Sequence, residues 1–282
     1  MRALIFLGVL TACSSNNNEV EERPFAAAEA QFWSAFQQPG LDARLAAEKR
    51  LIAAIPSAAS NTERSLLHFR LGQLRLAMSL ENGQTQYVLN APTMIVGEFD
   101  KAIALDPYSG IIAPWKDAME IATAAILSDW EKGVTLANRG FENVKLNPMG
   151  NTLSLSGTTI GFPLSTGVPQ RTVELLDRWT CSGVAWCSAN TDHAPWARPG
   201  LSFHFAEAYA RVGNREKAKQ YLDAALSAPG ADRWPYRSIA ADAANNLDAF
   251  MKKFGDLGPD GSAFNIAYAN QKYGCVFCHE KR

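Results

Sequence analysis

The chain reads as an all-α protein built from helix pairs, with two long irregular stretches between them. Apolar residues recur three or four apart in segment after segment, the spacing of one helix face, while strand-type alternation is scarce. Alanine, the best helix former, is abundant. Proline, glycine and capping residues punctuate the pattern at helix-like intervals. With 282 residues, 47% of them hydrophobic and 20% charged, the chain can bury a sizeable core. A net charge of −1, with no basic field, excludes nucleic acid as an expected partner.

The first residues are expected to leave the folded body. "MRALIFLGVLTAC" has a short positive start at Arg2, an apolar run from Ala3 to Leu10 too short to span a bilayer, and then small residues, the pattern of an export signal. Leu10-Thr11-Ala12-Cys13 resembles a bacterial lipobox. That resemblance implies that Cys13 is lipidated and becomes the mature N-terminus, with residues 1–12 as signal peptide and 13–24 as a polar tether. Acyl chains would then hold the protein to a membrane, each buried methylene contributing about 0.8 kcal/mol. By the same resemblance, Ser14 after the cysteine implies the periplasmic side of the outer membrane of a Gram-negative cell. No later apolar stretch reaches the roughly 18–20 residues of a membrane-spanning helix.

An N-terminal helical region is expected over 25–146. "PFAAAEAQFWSAFQQPG" starts at Pro24 and stops at Pro39-Gly40, and "LDARLAAEKRLIAAIP" ends before Pro56. Ser60 and Glu63 form a capping-box pattern ahead of a stripe of Leu67, Leu71, Leu74 and Met78. "VGEFDKAIALDP" follows after a loop. "APWKDAMEIATAAILSDWEKGVTLAN" reads as one long helix with Trp115, Met119, Ala122 and Ile126 on one face.

Glycine, serine, threonine and proline dominate 147–169, which is expected to be a long loop with at most a short strand pair, and 181–199 reads as a second irregular stretch. Between them these make an irregular region over 147–199. Cys181 and Cys187 bracket "SGVAW"; in an exported protein a local disulfide between them is the expected state.

Helices resume over 200–258. "LSFHFAEAYARVGNREKAKQYLDAALSAPG" resembles a tetratricopeptide repeat, with Phe205, Ala206 and Tyr209 on its first helix, Gly213-Asn214 at the turn and Ala218, Leu222 and Ala225 on its second. A poorer copy uses His68, Leu71 and Gly72, then Phe99, Ala102 and Pro107, with an inserted loop over 81–95. The resemblance implies an α-solenoid or irregular bundle of helix pairs. Further helices are expected over 235–254 and 262–273, leading into a C-terminal segment from 259 to 282.

That segment ends "QKYGCVFCHEKR". Cys275, Cys278 and His279 form Cys-x-x-Cys-His, the spacing of c-type haem attachment. Two thioethers can reach two vinyl groups, and the adjacent histidine can supply the axial nitrogen. Attachment takes place outside the cytoplasm, where the export signal leads. A zinc site would need a fourth ligand from elsewhere, and a disulfide between the two cysteines is the third reading. "AFNIAYANQKYGCVFCHEKR" also resembles the C-terminus of class II c-type cytochromes, implying Cys275 and Cys278 as thioether residues, His279 as proximal iron ligand and one covalent haem c. Met149 in "NPMGN" and His193 in "NTDHAPW" are the candidates for a distal ligand; His68 and His204 fall within helix patterns and read as packing residues. No nucleophile elbow or phosphate-cradling loop stands in its required context. The expected role is electron transfer with a redox partner protein. A scaffold lipoprotein whose cysteines are structural is the alternative.

Overall fold

A computed structural model of the protein describes residues 24–84, 86–87, 90–146, 151–179, 192–255 and 275–281. The described residues form thirteen α-helices and no strand, so the fold is all-α. They are α1 (Pro24–Phe36), α2 (Leu41–Ala54), α3 (Asn61–Glu81), α4 (Gly97–Leu105), α5 (Ile112–Ile126), α6 (Trp130–Leu146), α7 (Asn151–Thr159), α8 (Val168–Trp179), α9 (Ala197–Arg211), α10 (Arg215–Ser227), α11 (Arg237–Asn245), α12 (Leu247–Gly255) and α13 (Val276–His279). None is long and apolar enough to cross a membrane. Cys13, Met149, the Cys181–Cys187 pair and the helix expected over 262–273 lie outside the described residues.

Three cores follow one another along the chain. The first gathers α1 to α4 and the start of α5; Leu67, Leu71, Leu74 and Met78 are all buried in it, as their spacing predicts. α3 opens with the expected cap, Ser60 accepting from the Glu63 amide at 3.1 Å, while the Glu63 carboxylate accepts from the Ala59 amide at 2.8 Å. The second core joins α5 to α8. The third packs α9 to α12 with Ile160, Leu176 and Phe277. Its helix hairpin α9–α10 turns through Gly213 at a φ of 78°, with the Asn214 side chain capping the Lys217 amide at 3.1 Å. Phe205, Ala206, Tyr209, Ala218, Leu222 and Ala225 are buried between the two helices.

Four expectations need correction. The loop over 147–169 is largely helical, containing α7 and the start of α8. Its hydroxyls do not compete with the helix, because they bond back into it or across it. Thr159 donates to the Leu155 carbonyl at 3.0 Å, Thr172 donates to Thr159 Oγ1 at 2.8 Å, and Ser156 meets His204 Nε2 at 2.8 Å. The irregular stretch ends at 196, since α9 already begins at Ala197. The single long helix over 113–138 is two helices, broken where Ser128 takes a φ of 54° and the Asp129 carboxylate caps the Lys132 amide at 3.2 Å. Its buried face is Ile112, Ala118, Ile121 and Ala125, and Ile126 at the break is exposed. The helix expected over 235–254 is likewise divided at Asn246 into α11 and α12.

Candidate functional site: the docked Cys-x-x-Cys-His segment

Residues 275–281 lie in the seam between the first and third cores. Cys275 packs on the first core, and two residues later Phe277 enters the third. One helical turn carries both, because the His279 amide bonds the Cys275 carbonyl at 3.0 Å and the Glu280 amide bonds that of Val276 at 2.9 Å.

On the first-core side the contacts are polar. Glu81, the last residue of α3, accepts from the amides of Cys275 at 2.6 Å and Val276 at 3.3 Å. These are amides at the start of α13 that the helix cannot satisfy itself. Arg44, fully buried on α2, pairs with Glu81 and donates to Asn82 Oδ1 at 2.8 Å. Burial raises the Glu81 carboxyl above its ordinary range, against the opposing pull of Arg44 and the two amides. The Lys281 amide donates to the Gln37 carbonyl at 3.1 Å.

On the third-core side the contacts are aromatic. The Phe277 ring meets Trp234 and Tyr236, each with centroids 4.9 Å away, and Phe203 at 5.6 Å. Two indoles hold the backbone: Trp234 Nε1 donates to the Phe277 carbonyl at 2.9 Å, and Trp196 Nε1 to that of Glu280 at 2.6 Å. The Trp196 amide adds a bond to the Cys278 carbonyl at 3.0 Å. Tyr236 donates to the buried Glu280 carboxylate at 2.5 Å.

Cys275 and Cys278 are both free thiols. Burial pushes the Cys278 thiol up to about 12 and the Cys275 thiol well above its usual value, with the Glu81 charge adding to the latter. Cys278 Sγ sits against Gly200 on α9, where a β-carbon would approach it to 2.4 Å; the absence of a side chain there makes room for the sulfur. His279 Nδ1 lies 2.6 Å from the His193 carbonyl oxygen. A carbonyl oxygen only accepts, so Nδ1 carries the proton and Nε2 is left with its lone pair. Burial lowers the His279 imidazole to about 4, the His193 carbonyl opposing it. Its ring faces Phe36 edge-on at 5.2 Å and Trp33 at 6.2 Å.

His193 thus meets His279 on the Nδ1 side, the side away from Nε2. Its own ring stacks on Trp33 with centroids 4.0 Å apart and planes 8° apart. The His193 backbone thus takes a supporting place at His279 Nδ1, while its ring packs on Trp33. His68 bonds Glu98 at 2.6 Å and His204 is buried in the body, in keeping with packing roles. Ser156, His204 and Glu207 fall in a serine–histidine–acid order, but all three are buried and His204 Nδ1 is 3.9 Å from Glu207 Oε2, beyond hydrogen-bond reach.

Among the described residues no group of three or more His, Cys, Asp or Glu side chains converges as a metal site. A c-type haem asks less of the protein, because its cysteines bond carbon and only His279 Nε2 would face the iron. Among the partners of the segment, Arg44, Gln37, Gly200 and Tyr236 carry no mark of that role in the sequence. A carboxylate at the last position of a helix, where the dipole disfavours it, was the one local signal at Glu81. No protein-family model matches the chain, nor does any curated protein or solved structure.

Proposed function

We propose that this chain is a membrane-anchored monohaem c-type cytochrome that exchanges electrons with a redox partner protein, its helical body serving for docking. The observation that carries the reading is the state of His279: Nδ1 is committed to a backbone carbonyl and Nε2 is left to bind a metal, the arrangement that fixes tautomer and ring direction in metal-bound histidines. The neighbouring groups fit the same cofactor. Cys275 and Cys278 are free and one helical turn apart, and the rings of Phe36 and Trp33 border His279. Haem c would supply one-electron iron chemistry. The residues around His279 would set its potential through burial and through the bond to Nδ1. His193 and Met149 are the candidates for the distal position. Lipidation of Cys13 would hold the protein at the periplasmic face of the outer membrane.

A second reading, a scaffold lipoprotein with a purely structural C-terminal segment, draws on the number of bonds that tie residues 275–281 to both bodies. Expression of the full chain alongside a cytochrome c maturation system separates the two. One covalent haem is expected, with a haemochrome spectrum in the membrane fraction, lost in Cys275→Ser/Cys278→Ser and moved to the soluble fraction in Cys13→Ser. Absence of covalent haem with both cysteines intact overturns the cytochrome reading and leaves the scaffold. Haem-bearing Cys13→Ser protein that stays with the membranes overturns the lipid anchor.

A further inference from the structure

The bond from His279 to the His193 carbonyl is only as firm as the loop that carries that carbonyl. Residues 192–196 belong to no helix. A buried side chain of the first core hydrogen-bonds this loop. Gln37, just past the end of α1 and only 5% exposed, donates from Nε2 to the Asp192 carbonyl at 2.9 Å. The same residue, through its own carbonyl, accepts from the Lys281 amide at 3.1 Å. Gln37 therefore holds both segments that the His279–His193 bond connects: the loop one residue before the acceptor, and the C-terminal segment two residues after the donor. Trp33, one turn earlier on α1, stacks on the His193 ring. It is itself fixed, because its indole donates to Glu29 at 3.0 Å and the Arg70 guanidinium lies 4.5 Å from its ring.

Resting on the cytochrome reading, we infer that Gln37 is a positioning residue for the proximal imidazole: its side chain holds the His193 carbonyl in register with His279 Nδ1 and so tunes the electron density that Nε2 offers to the iron. A firm Nδ1–H···O=C bond makes the imidazole a more basic ligand and favours the oxidised metal. Loosening it weakens that preference.

Gln37→Met keeps the volume and the backbone bond to Lys281 and removes only the donor to Asp192. Ser65→Ala is the matched control. It removes one buried bond of the same kind, from Ser65 Oγ to the Ala102 carbonyl at 2.8 Å, inside the first core and away from the seam. Two readouts are taken on both variants. In the haem-bearing protein, Gln37→Met is expected to raise the midpoint potential while Ser65→Ala leaves it at the wild-type value. In the protein without haem, the His279 Nδ1 proton, followed by nuclear magnetic resonance, is expected to exchange with solvent roughly tenfold faster in Gln37→Met and at the wild-type rate in Ser65→Ala. An unmoved potential and an unmoved exchange rate in Gln37→Met overturn the inference, as does an equal change in both variants. If the wild-type chain takes up no haem, the cytochrome reading fails by itself, and the exchange rate still decides whether Gln37 holds the imidazole.

Discussion

The C-terminal segment meets the two bodies by different physics. Against the first core it is held by charge and backbone: the Glu81 carboxylate on two amides, the buried Arg44 behind it, and the Gln37 carbonyl on Lys281. Against the third core it is held by a ring, Phe277, seated among Trp234, Tyr236 and Phe203, with two indole donors on its carbonyls. The Phe277 ring contributes burial, which is tolerant of direction, while the indole donors beside it fix the carbonyls they bond. The polar side contributes alignment, because a carboxylate and amides bond only in register. Cys275 and Cys278 lie between the two: Glu81 of the first side holds the Cys275 amide, and Trp196 and Gly200 of the other hold the Cys278 carbonyl and sulfur.

The comparison breaks most severely at Glu81. Glu81→Leu strands the Arg44 guanidinium in the core and is expected to cost about 4 kcal/mol in urea unfolding. The double variant Arg44→Leu/Glu81→Leu should cost clearly less than the sum of the two single changes. Additive costs would mean that the pair is not the unit that holds α13. On the aromatic side, Phe277→Ala is expected to cost about 3 kcal/mol. Because burial and not register is lost, urea unfolding should show the loss recovered in good part by Phe277→Leu; a leucine as damaging as alanine would say that ring geometry matters there.

The smallest effect separates the bodies by pH. Glu98 in the first core is held down at about 2 by His68, Lys101 and Arg75, against the cost of its burial. Its folded value lies below its unfolded one, so its contribution is complete above about 4.5 and is lost only as pH falls further. His204 on α9 is lowered to about 4 by burial. Below about 6.5 the unfolded chain takes up a proton that folded His204 refuses, so stability falls from there down towards pH 4. Between pH 7 and 5.5 His204 alone should cost about 1 kcal/mol. Hydrogen exchange over that range should therefore speed up in α9 and α10 before α3 and α4. Equal acceleration in both would remove this distinction.

Most of the helices were legible because their signals are local. The stripe Leu67, Leu71, Leu74, Met78, the Ser60–Glu63 cap and the Gly213-Asn214 turn need nothing beyond neighbouring residues. α7 was not legible. Serine and threonine read as loop formers until partners such as Thr172 and His204 absorb their hydroxyls, and those partners are far off in sequence. The break at Ser128 hid for the opposite reason, since no glycine or proline marks it.

At the site, the sequence by itself determined which atoms could do chemistry: two thiols and an imidazole at a spacing that one helical turn brings together. Only the tertiary structure decided their condition. The tautomer of His279 depends on a carbonyl 86 residues away, the room for Cys278 on a glycine of α9, and the alignment of the turn on a carboxylate at the end of α3. Backbone carbonyls and missing side chains leave no mark in composition or spacing. They act through distance alone, and distance across the seam exists only once both bodies are packed.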